Sequence, residues 1–409
     1  MNSRNGTARY LYLAVGTVIL LFIGMIYGWS IYLRSFNEIF PLWTVSGLSI
    51  TFSISLSCFY TGGFMGGRLS LILKNNLIVL LGAAFLFIGY FFSSRLDPLK
   101  PDQSLIKLYL FYGVFCGLGT GLSYNAVTSS IIKWFPSNPG FATGILLTGF
   151  GLGGMIIGSM VNALIIKMGL FDTFFTLAFV VAIVLSLGSF FIKLPASVSD
   201  ETASSPDFAG KDYTPKQMLK TSSYWLWLMW TLILCTSGIM VLNSAATIAA
   251  SFGAPAVLGL MISISNGSGR IIFGGMIDKL GISRATYTSS SILLASGIFL
   301  YTGAVFRNVI LIFAGMLMMG MCYGSCPSMS SAVVNLLFGS KNYQINISHL
   351  NIMIIPAAVS GPLVSSFLLN KSNGAYNSNF MLIIIFALAS LLALVLLNRV
   401  IRKEEVRSS

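Results

Sequence analysis

Twelve long apolar segments constrain this chain more than any other feature of its sequence. A helix needs about 20 mostly apolar residues to cross the hydrocarbon core of a bilayer. Charged residues make up only 9% of the chain, whereas soluble globular chains carry about 25%. The sequence therefore predicts an all-α membrane protein with twelve transmembrane helices. The predicted spans are residues 10–33, 44–65, 76–94, 108–131, 141–165, 172–192, 224–247, 256–277, 285–306, 309–334, 345–369 and 378–398.

The basic residues predict how the chain is oriented in the membrane. An even number of spans places both termini on the same side. The termini and the loops on their side carry 16 lysines and arginines, the opposite loops carry 7, and Arg270 completes the total of 24. Cytoplasmic loops are enriched in these residues, so we expect both termini in the cytoplasm and the protein in the plasma or inner membrane. The same asymmetry explains the net charge of +13, and we expect no nucleic-acid partner.

A polar stretch divides the twelve spans into six and six. Residues 193–223 are rich in serine, proline and charged residues and contain no apolar segment long enough to span a membrane. We therefore expect a cytoplasmic linker here, of a length and composition typical of linkers rather than of a folded domain. It would join an N-terminal six-helix bundle, residues 1–192, to a C-terminal six-helix bundle, residues 224–409.

The two halves also resemble each other in sequence. Gly117-x-x-x-Gly121 in span four returns 203 residues later as Gly320-x-x-x-Gly324 in span ten. A duplicated six-span unit is one architecture of secondary transporters, whose substrate site lies at the interface of the repeats near the membrane midplane. The repeat therefore predicts two pseudo-symmetric bundles with a site between them.

Several kinds of chemistry are absent from the sequence. No glycine-rich loop ends in Lys-Ser or Lys-Thr, which argues against ATP-driven transport. The 11 acidic residues lie in predicted loops or at span ends, and no metal-ligand cluster or Ser/His/Asp set is recognisable. The five cysteines lie in apolar stretches, as small core residues do. We expect no enzyme activity, no cofactor and no metal site.

Arg270 is the one permanently charged residue deep inside a predicted span. An arginine at the centre of a membrane helix costs roughly 2.5–3.5 kcal/mol on insertion scales. It precedes Asp278, at the cytoplasmic edge, by eight residues, or about 12 Å of helix. No span supplies an acidic partner, so an anionic ligand is the expected counter-charge, and the arginine fork suits a carboxylate. The alternative is a structural arginine bonded to carbonyls, water or Asp278.

Polar-tipped aromatic residues in predicted core helices are candidates for the walls of a binding cavity. They are Tyr27 and Tyr32 in span one, Tyr124 in span four and Tyr323 in span ten, and Asn125 follows Tyr124. Tyrosine supplies an apolar wall together with a hydroxyl donor for a carboxylate oxygen. Each tyrosine could equally serve packing or anchor a helix at the membrane interface.

The lone histidine, His349, lies at the start of span eleven, about two helical turns from Lys341 at the cytoplasmic edge. Imidazole could carry a proton or bind an anion there. The alternative is a histidine whose hydrogen bonds are satisfied near the cytoplasmic face.

Three glycine- and aromatic-rich stretches carry a family resemblance. Residues 117–124 read Gly-Leu-Gly-Thr-Gly-Leu-Ser-Tyr, residues 133–136 read Lys-Trp-Phe-Pro, and residues 140–144 read Gly-Phe-Ala-Thr-Gly. They resemble the oxalate/formate antiporter-like family of anion carriers within the major facilitator superfamily. The resemblance implies the major facilitator fold, transport of small mono- and dicarboxylates, a substrate-binding role for Arg270 and a site role for Tyr124.

A second stretch resembles the loop signature of the superfamily. It reads Gly274-x-x-x-Asp278-Lys279-x-Gly281, and the resemblance implies a gating role for Gly274, Asp278 and Lys279.

The chain departs from the family in two places. Oxalate carriers have a lysine in span eleven as a second positive charge, and the matching residues 350–356 contain none. A monoanion is therefore expected rather than a dianion such as oxalate. In the first half, Leu71 and Ile72 stand where the loop signature has an acidic and a basic residue. That half would lack the charge lock of its loop.

These observations predict a carrier of small organic anions, most simply monocarboxylates, that works by alternating access as a monomer in the lipid bilayer. Exchange or uniport is favoured because no span holds the carboxylate that proton coupling usually uses, while His349 leaves proton symport open. Two other hypotheses keep the fold: an exporter of amphipathic or drug-like compounds, and a membrane sensor that binds a ligand without transporting it.

Overall fold

The computed structural model describes residues 3–135, 139–193, 212–339 and 342–408. Within these ranges twelve helices are long and apolar enough to cross a membrane. We name them α1–α12: Ala8–Gly28, Val45–Leu69, Asn75–Ser93, Pro101–Ile132, Ala142–Met168, Leu170–Ser189, Ser222–Asn243, Ala256–Ile277, Lys279–Val305, Val309–Phe338, Ile345–Lys371 and Asn377–Ile401. The predicted all-α fold with twelve spans is confirmed.

Two spans begin earlier than predicted. Helix α4 begins at Pro101 instead of residue 108, since proline suits the first helical turn and Asp102 interacts favourably with the helix dipole. Its polar first turn is held by Ser104, whose hydroxyl donates to the Asp97 carbonyl at 2.9 Å. Helix α9 begins at Lys279, directly after α8, and the direction changes at Gly281, whose φ of 79° is favourable for glycine.

Two spans continue beyond the predicted membrane region as short helices. After a 3₁₀ turn at Gly24–Gly28 in α1, the chain forms the helix Ser30–Ile39. After α7 it forms the helix Ala245–Ser251. These two extensions pack against each other. They lie on the side of the membrane opposite the termini, because α1 and α7 both run towards that side.

The repeated glycine pattern has the same packing role in both halves. A Cβ atom at Gly121 of α4 would lie 2.6 Å from the backbone nitrogen of Gly63 in α2. A Cβ atom at Gly324 of α10 would lie 2.8 Å from the carbonyl carbon of Asn266 in α8. Only glycine permits backbones to approach so closely. The pattern therefore fixes α4 against α2 and, in the second half, α10 against α8.

Among the described residues, the most extensive contacts between the first six spans and the last six are those of α2 with α11 and of α5 with α8. The α5–α8 contact is again made by glycine, since a Cβ atom at Gly151 would lie 2.8 Å from the Cα atom of Gly267. Residues 194–211, most of the predicted linker, lie outside the described residues. The described end of the linker is attached to the second half, where the Tyr213 amide donates to the Phe338 carbonyl at 2.9 Å.

Replacing Gly121 by valine should destabilise the protein. Its side chain would meet the α2 backbone, which cannot move aside as a flexible side chain would, and overpacking costs about 1–3 kcal/mol. We expect a lower melting temperature for purified Gly121→Val in detergent. Gly275→Val is the matched control, because a Cβ atom at Gly275 has no neighbour within 4 Å. Equal melting of the two variants would contradict this account of α2–α4 packing.

Candidate functional site

The guanidinium of Arg270 lies in the interior of the protein. The side chain is 3% exposed, and among the residues whose burial is described it is the one buried charged side chain. Within the described part of the chain its Nε and Nη1 atoms have no hydrogen-bond partner. No described carboxylate forms an ion pair with it. The side chain of Asp278, the one acidic alternative partner predicted from the sequence, lies outside the described residues.

Phe150 of α5 lies at the centre of the aromatic side chains around Arg270. The guanidinium carbon is 5.4 Å from the Phe150 ring centroid, within the range of a cation–π contact. The same ring lies 5.3 Å from the Tyr27 ring and 4.8 Å from the Tyr124 ring. Phe150 therefore joins helices α1, α4, α5 and α8 at one point.

Three of the predicted tyrosines lie at Arg270. The guanidinium interacts electrostatically with Tyr27, Tyr124 and Tyr323. The hydroxyl oxygens of Tyr27 and Tyr323 are 3.4 Å apart, and their rings meet at 90°. Because Tyr27 belongs to α1 and Tyr323 to α10, this pair links the two halves of the chain beside the buried charge.

Three residues of the cluster escaped the sequence analysis: Tyr60, Phe150 and Asn266. Tyr60 of α2 lies close to both Tyr323 and Tyr27. Asn266 lies one helical turn before Arg270 and is completely buried. The four-residue spacing from Arg270 was a usable signal for Asn266. An apolar Phe150 in a glycine-rich span gave no such signal.

The remaining predicted residues make other contacts, none of them with Arg270 among the described interactions. Tyr32 is buried within the first six spans, with its ring 4.9 Å from Phe174 and 5.8 Å from Tyr112. Asn125 packs against α2. A Cβ atom placed on Gly66 of α2 would lie 3.4 Å from the Cβ atom of Asn125. His349 is hydrogen-bonded through Nδ1 to the carbonyl of Ile345, 2.8 Å away on its own helix.

The residues of the loop signature lie where α8 passes into α9. Lys279 is exposed. Gly274 faces α10, and a Cβ atom placed on it would lie 3.7 Å from the side chain of Ser328. The Asp278 side chain lies outside the described residues. In the corresponding loop of the first half, Leu71 and Ile72 are 85% and 78% exposed, so the charged pair of the signature is replaced there by exposed apolar side chains.

On the side opposite the termini, four hydrogen bonds between described residues join the first six spans to the last six. They are Asn243 Nδ2 to Ser49 Oγ (3.2 Å), Asn370 Nδ2 to Ser46 Oγ (3.1 Å), Ala246 N to Ser30 Oγ (3.2 Å) and Ser53 Oγ to the Val359 carbonyl (3.5 Å). We call them the distal seal. All of them are neutral, and no ion pair between described residues joins the two halves there.

Comparison with known proteins identifies the family. The profile of the Major Facilitator Superfamily matches residues 11–341 and 233–409. The chain belongs to the Major Facilitator Superfamily. It is therefore a multi-pass membrane transporter of the superfamily and not an enzyme, as the sequence predicted.

Individual relatives of the superfamily agree with the resemblance seen in the sequence. The chain is 25% identical over 338 residues to the uncharacterized MFS-type transporter YhjX of Escherichia coli, covering 81% of each chain. It is 24% identical over 353 residues to the oxalate:formate antiporter of Oxalobacter formigenes, covering 82% of this chain and 80% of that one. The human monocarboxylate transporter 10 is 23% identical over 320 residues, covering 74% and 60%.

A solved structure confirms the major facilitator fold. The D-xylose-proton symporter superposes with a TM-score of 0.65, covering 95% of this chain and 97% of that one, at 14% identity. At this identity the likeness concerns the fold alone.

The distal seal can be tested by cross-linking. In a variant whose five native cysteines are replaced by alanine, we expect Ser46→Cys and Asn370→Cys to be joined by a short bifunctional thiol reagent, because their side chains touch. Mass spectrometry of the linked peptides is the measurement. Leu368→Cys, paired with Ser46→Cys, is the control, since Leu368 instead lines a groove with Met381 of α12. Equal linkage in both variants would contradict the seal.

Proposed function

We propose that this protein carries small organic monocarboxylates across the membrane by alternating access, as an exchanger or a uniporter. The observation that carries the proposal is the buried guanidinium of Arg270, two of whose nitrogen atoms have no partner among the described residues. A buried charge is stable only when it is paired or hydrogen-bonded. A carboxylate would accept from this fork in the bidentate geometry that arginine favours.

The surroundings of Arg270 support one carboxylate rather than two. It is the single buried charge among the residues whose burial is described, so a second anionic group would find no cation there. The hydroxyls of Tyr27, Tyr124 and Tyr323 are neutral donors suited to the oxygen atoms of the same carboxylate. The names of the relatives, an oxalate:formate antiporter and monocarboxylate transporters, support a small carboxylate as cargo.

Alternating access is supported by the position of the inter-half contacts. The Tyr27–Tyr323 pair joins the halves at the site, and the distal seal joins them on the side opposite the termini. Neutral hydrogen bonds of this kind contribute about 0.5–1.5 kcal/mol each. They can therefore break and re-form during a transport cycle. We propose that the seal opens when the site faces that side.

Arg270→Gln should weaken the binding of small carboxylates with little loss of stability. The variant loses the charge-assisted hydrogen bonds, and we expect affinity to fall about 10- to 100-fold. Removing a buried charge that has no described carboxylate partner relieves its desolvation cost, so the melting temperature of the ligand-free protein should be equal to or above that of the wild type. Thermal shift with a panel of carboxylates and uptake into proteoliposomes are the measurements.

Arg284→Gln is the matched control, since Arg284 is exposed on α9, and we expect it to behave as wild type. An Arg270→Gln protein that binds and carries carboxylates as well as wild type would contradict the proposal. Stabilisation by larger apolar molecules instead of carboxylates would favour a drug-like exporter.

His349→Ala should retain carboxylate uptake and show no new dependence on a proton gradient. The imidazole donates from Nδ1 to the Ile345 carbonyl on its own helix, and it is not among the groups interacting with Arg270. The measurement is uptake with and without an imposed pH gradient. Uptake that a gradient drives in the wild type but not in His349→Ala would show proton symport in place of exchange or uniport.

A further inference from the structure

Helix α8 carries a line of buried polar groups that extends beyond Arg270. Ser263, Asn266 and Arg270 follow each other at spacings of three and four residues, so they lie on one face of the helix. Their side chains are 1%, 0% and 3% exposed. Among the described residues, Ser263 Oγ, both polar atoms of the Asn266 carboxamide, and Nε and Nη1 of Arg270 have no hydrogen-bond partner.

This lack of partners is specific to one face of α8. The hydroxyl of Ser265 donates to the carbonyl of Ile262 at 3.0 Å, and that of Ser268 donates to the carbonyl of Ser265 at 3.1 Å. The buried Ser265 and the half-buried Ser268 are therefore satisfied by the backbone of their own helix. The carboxamide of Asn266 is the larger group, and neither of its polar atoms has a partner in the described part of the chain.

Asn266 lies next to the tyrosine pair of the candidate site. Its Oδ1 atom is 2.9 Å from where a Cβ atom would stand at Gly324, the residue after Tyr323. On the other side of the pair, Ser263 Oγ and the Tyr27 Cβ atom both lie against Gly154, at 2.6 Å and 3.3 Å from its hypothetical Cβ. The α8 groups without a described partner thus adjoin Tyr27 and the residue after Tyr323, and these are two of the three tyrosines at Arg270.

The chemistry of the carboxamide differs from that of the guanidinium. A guanidinium only donates and is charged, whereas a carboxamide is neutral, donates from nitrogen and accepts at oxygen. A buried carboxamide without partners is unfavourable. A ligand that carries a hydroxyl or carbonyl oxygen beside its carboxylate would satisfy the carboxamide and the guanidinium together.

We propose that Asn266 is a specificity-determining residue of the transport site, binding a neutral oxygen-bearing group adjacent to the carboxylate that Arg270 holds. This inference rests on the proposed function. Under this proposal, Asn266 of α8, rather than the tyrosines, discriminates between acids with and without an oxygen-bearing group next to the carboxylate. Sites that hydrogen-bond a substrate group discriminate strongly against analogues that lack it, because their buried polar atoms are then left unpaired.

Lactate and propionate provide the test, because they differ by one hydroxyl group next to the carboxylate. We expect purified wild-type protein to bind lactate about tenfold more tightly than propionate, as one added buried hydrogen bond implies. In Asn266→Leu, which keeps the shape of the side chain, the ratio should fall to about one through weaker binding of lactate. Calorimetry gives the affinities, and the melting temperature of each variant is measured alongside.

Two further variants make the test specific. Ser265→Ala, which removes a buried hydroxyl bonded within its own helix, should leave the lactate-to-propionate ratio unchanged. Asn266→Ser keeps one polar group and should give an intermediate lactate-to-propionate ratio. This variant also provides the test if Asn266→Leu does not fold. A drop in melting temperature with equal weakening of both acids, or an unchanged ratio in both Asn266 variants, would overturn the inference.

The wild type separates this inference from the proposed function. Wild-type protein that binds neither acid would overturn the carboxylate site itself. Wild-type protein that binds both acids equally would overturn the role of Asn266 and leave Arg270 as a carboxylate site.

Discussion

A positive charge buried without a described carboxylate partner is the constraint on which this structure depends. The guanidinium of Arg270 is retained in an apolar interior by an aromatic face, Phe150, and by the hydroxyls of nearby tyrosines. These groups come from helices of both halves, so the charge is stable only where α1, α4, α5, α8 and α10 converge. The fold therefore brings these groups together where its halves meet, at the place that we propose as the anion site.

Glycine makes this convergence possible. Helix α8 is flanked by backbone on two sides, with Gly151 of α5 against Gly267 and Gly324 of α10 against Asn266. Side chains at these positions would separate the helices and move Phe150 and Tyr323 away from the guanidinium. The packing that stabilises the membrane fold and the geometry that forms the site thus depend on the same small residues.

Much of this organisation could be predicted from the sequence, and the limits have physical causes. Length and hydropathy predict twelve spans because a bilayer admits few alternatives, and Arg270, Tyr27, Tyr124 and Tyr323 are conspicuous as polar groups in apolar helices. Phe150 could not be distinguished from core packing. Tyr32 matched the same pattern as Tyr27, but five residues of helix rotate a side chain by about 140°, and it points into the first six spans instead.

The hydroxyl pair of Tyr27 and Tyr323 bears on how the empty and loaded protein move. Without cargo, the groups suited to bind an anion also hold the two halves to each other. An anion that engages these hydroxyls would replace that link by contacts of its own and lower the barrier to reorientation. We therefore expect the loaded protein to change sides faster than the empty one, a kinetic asymmetry under which influx of one anion accelerates efflux of another.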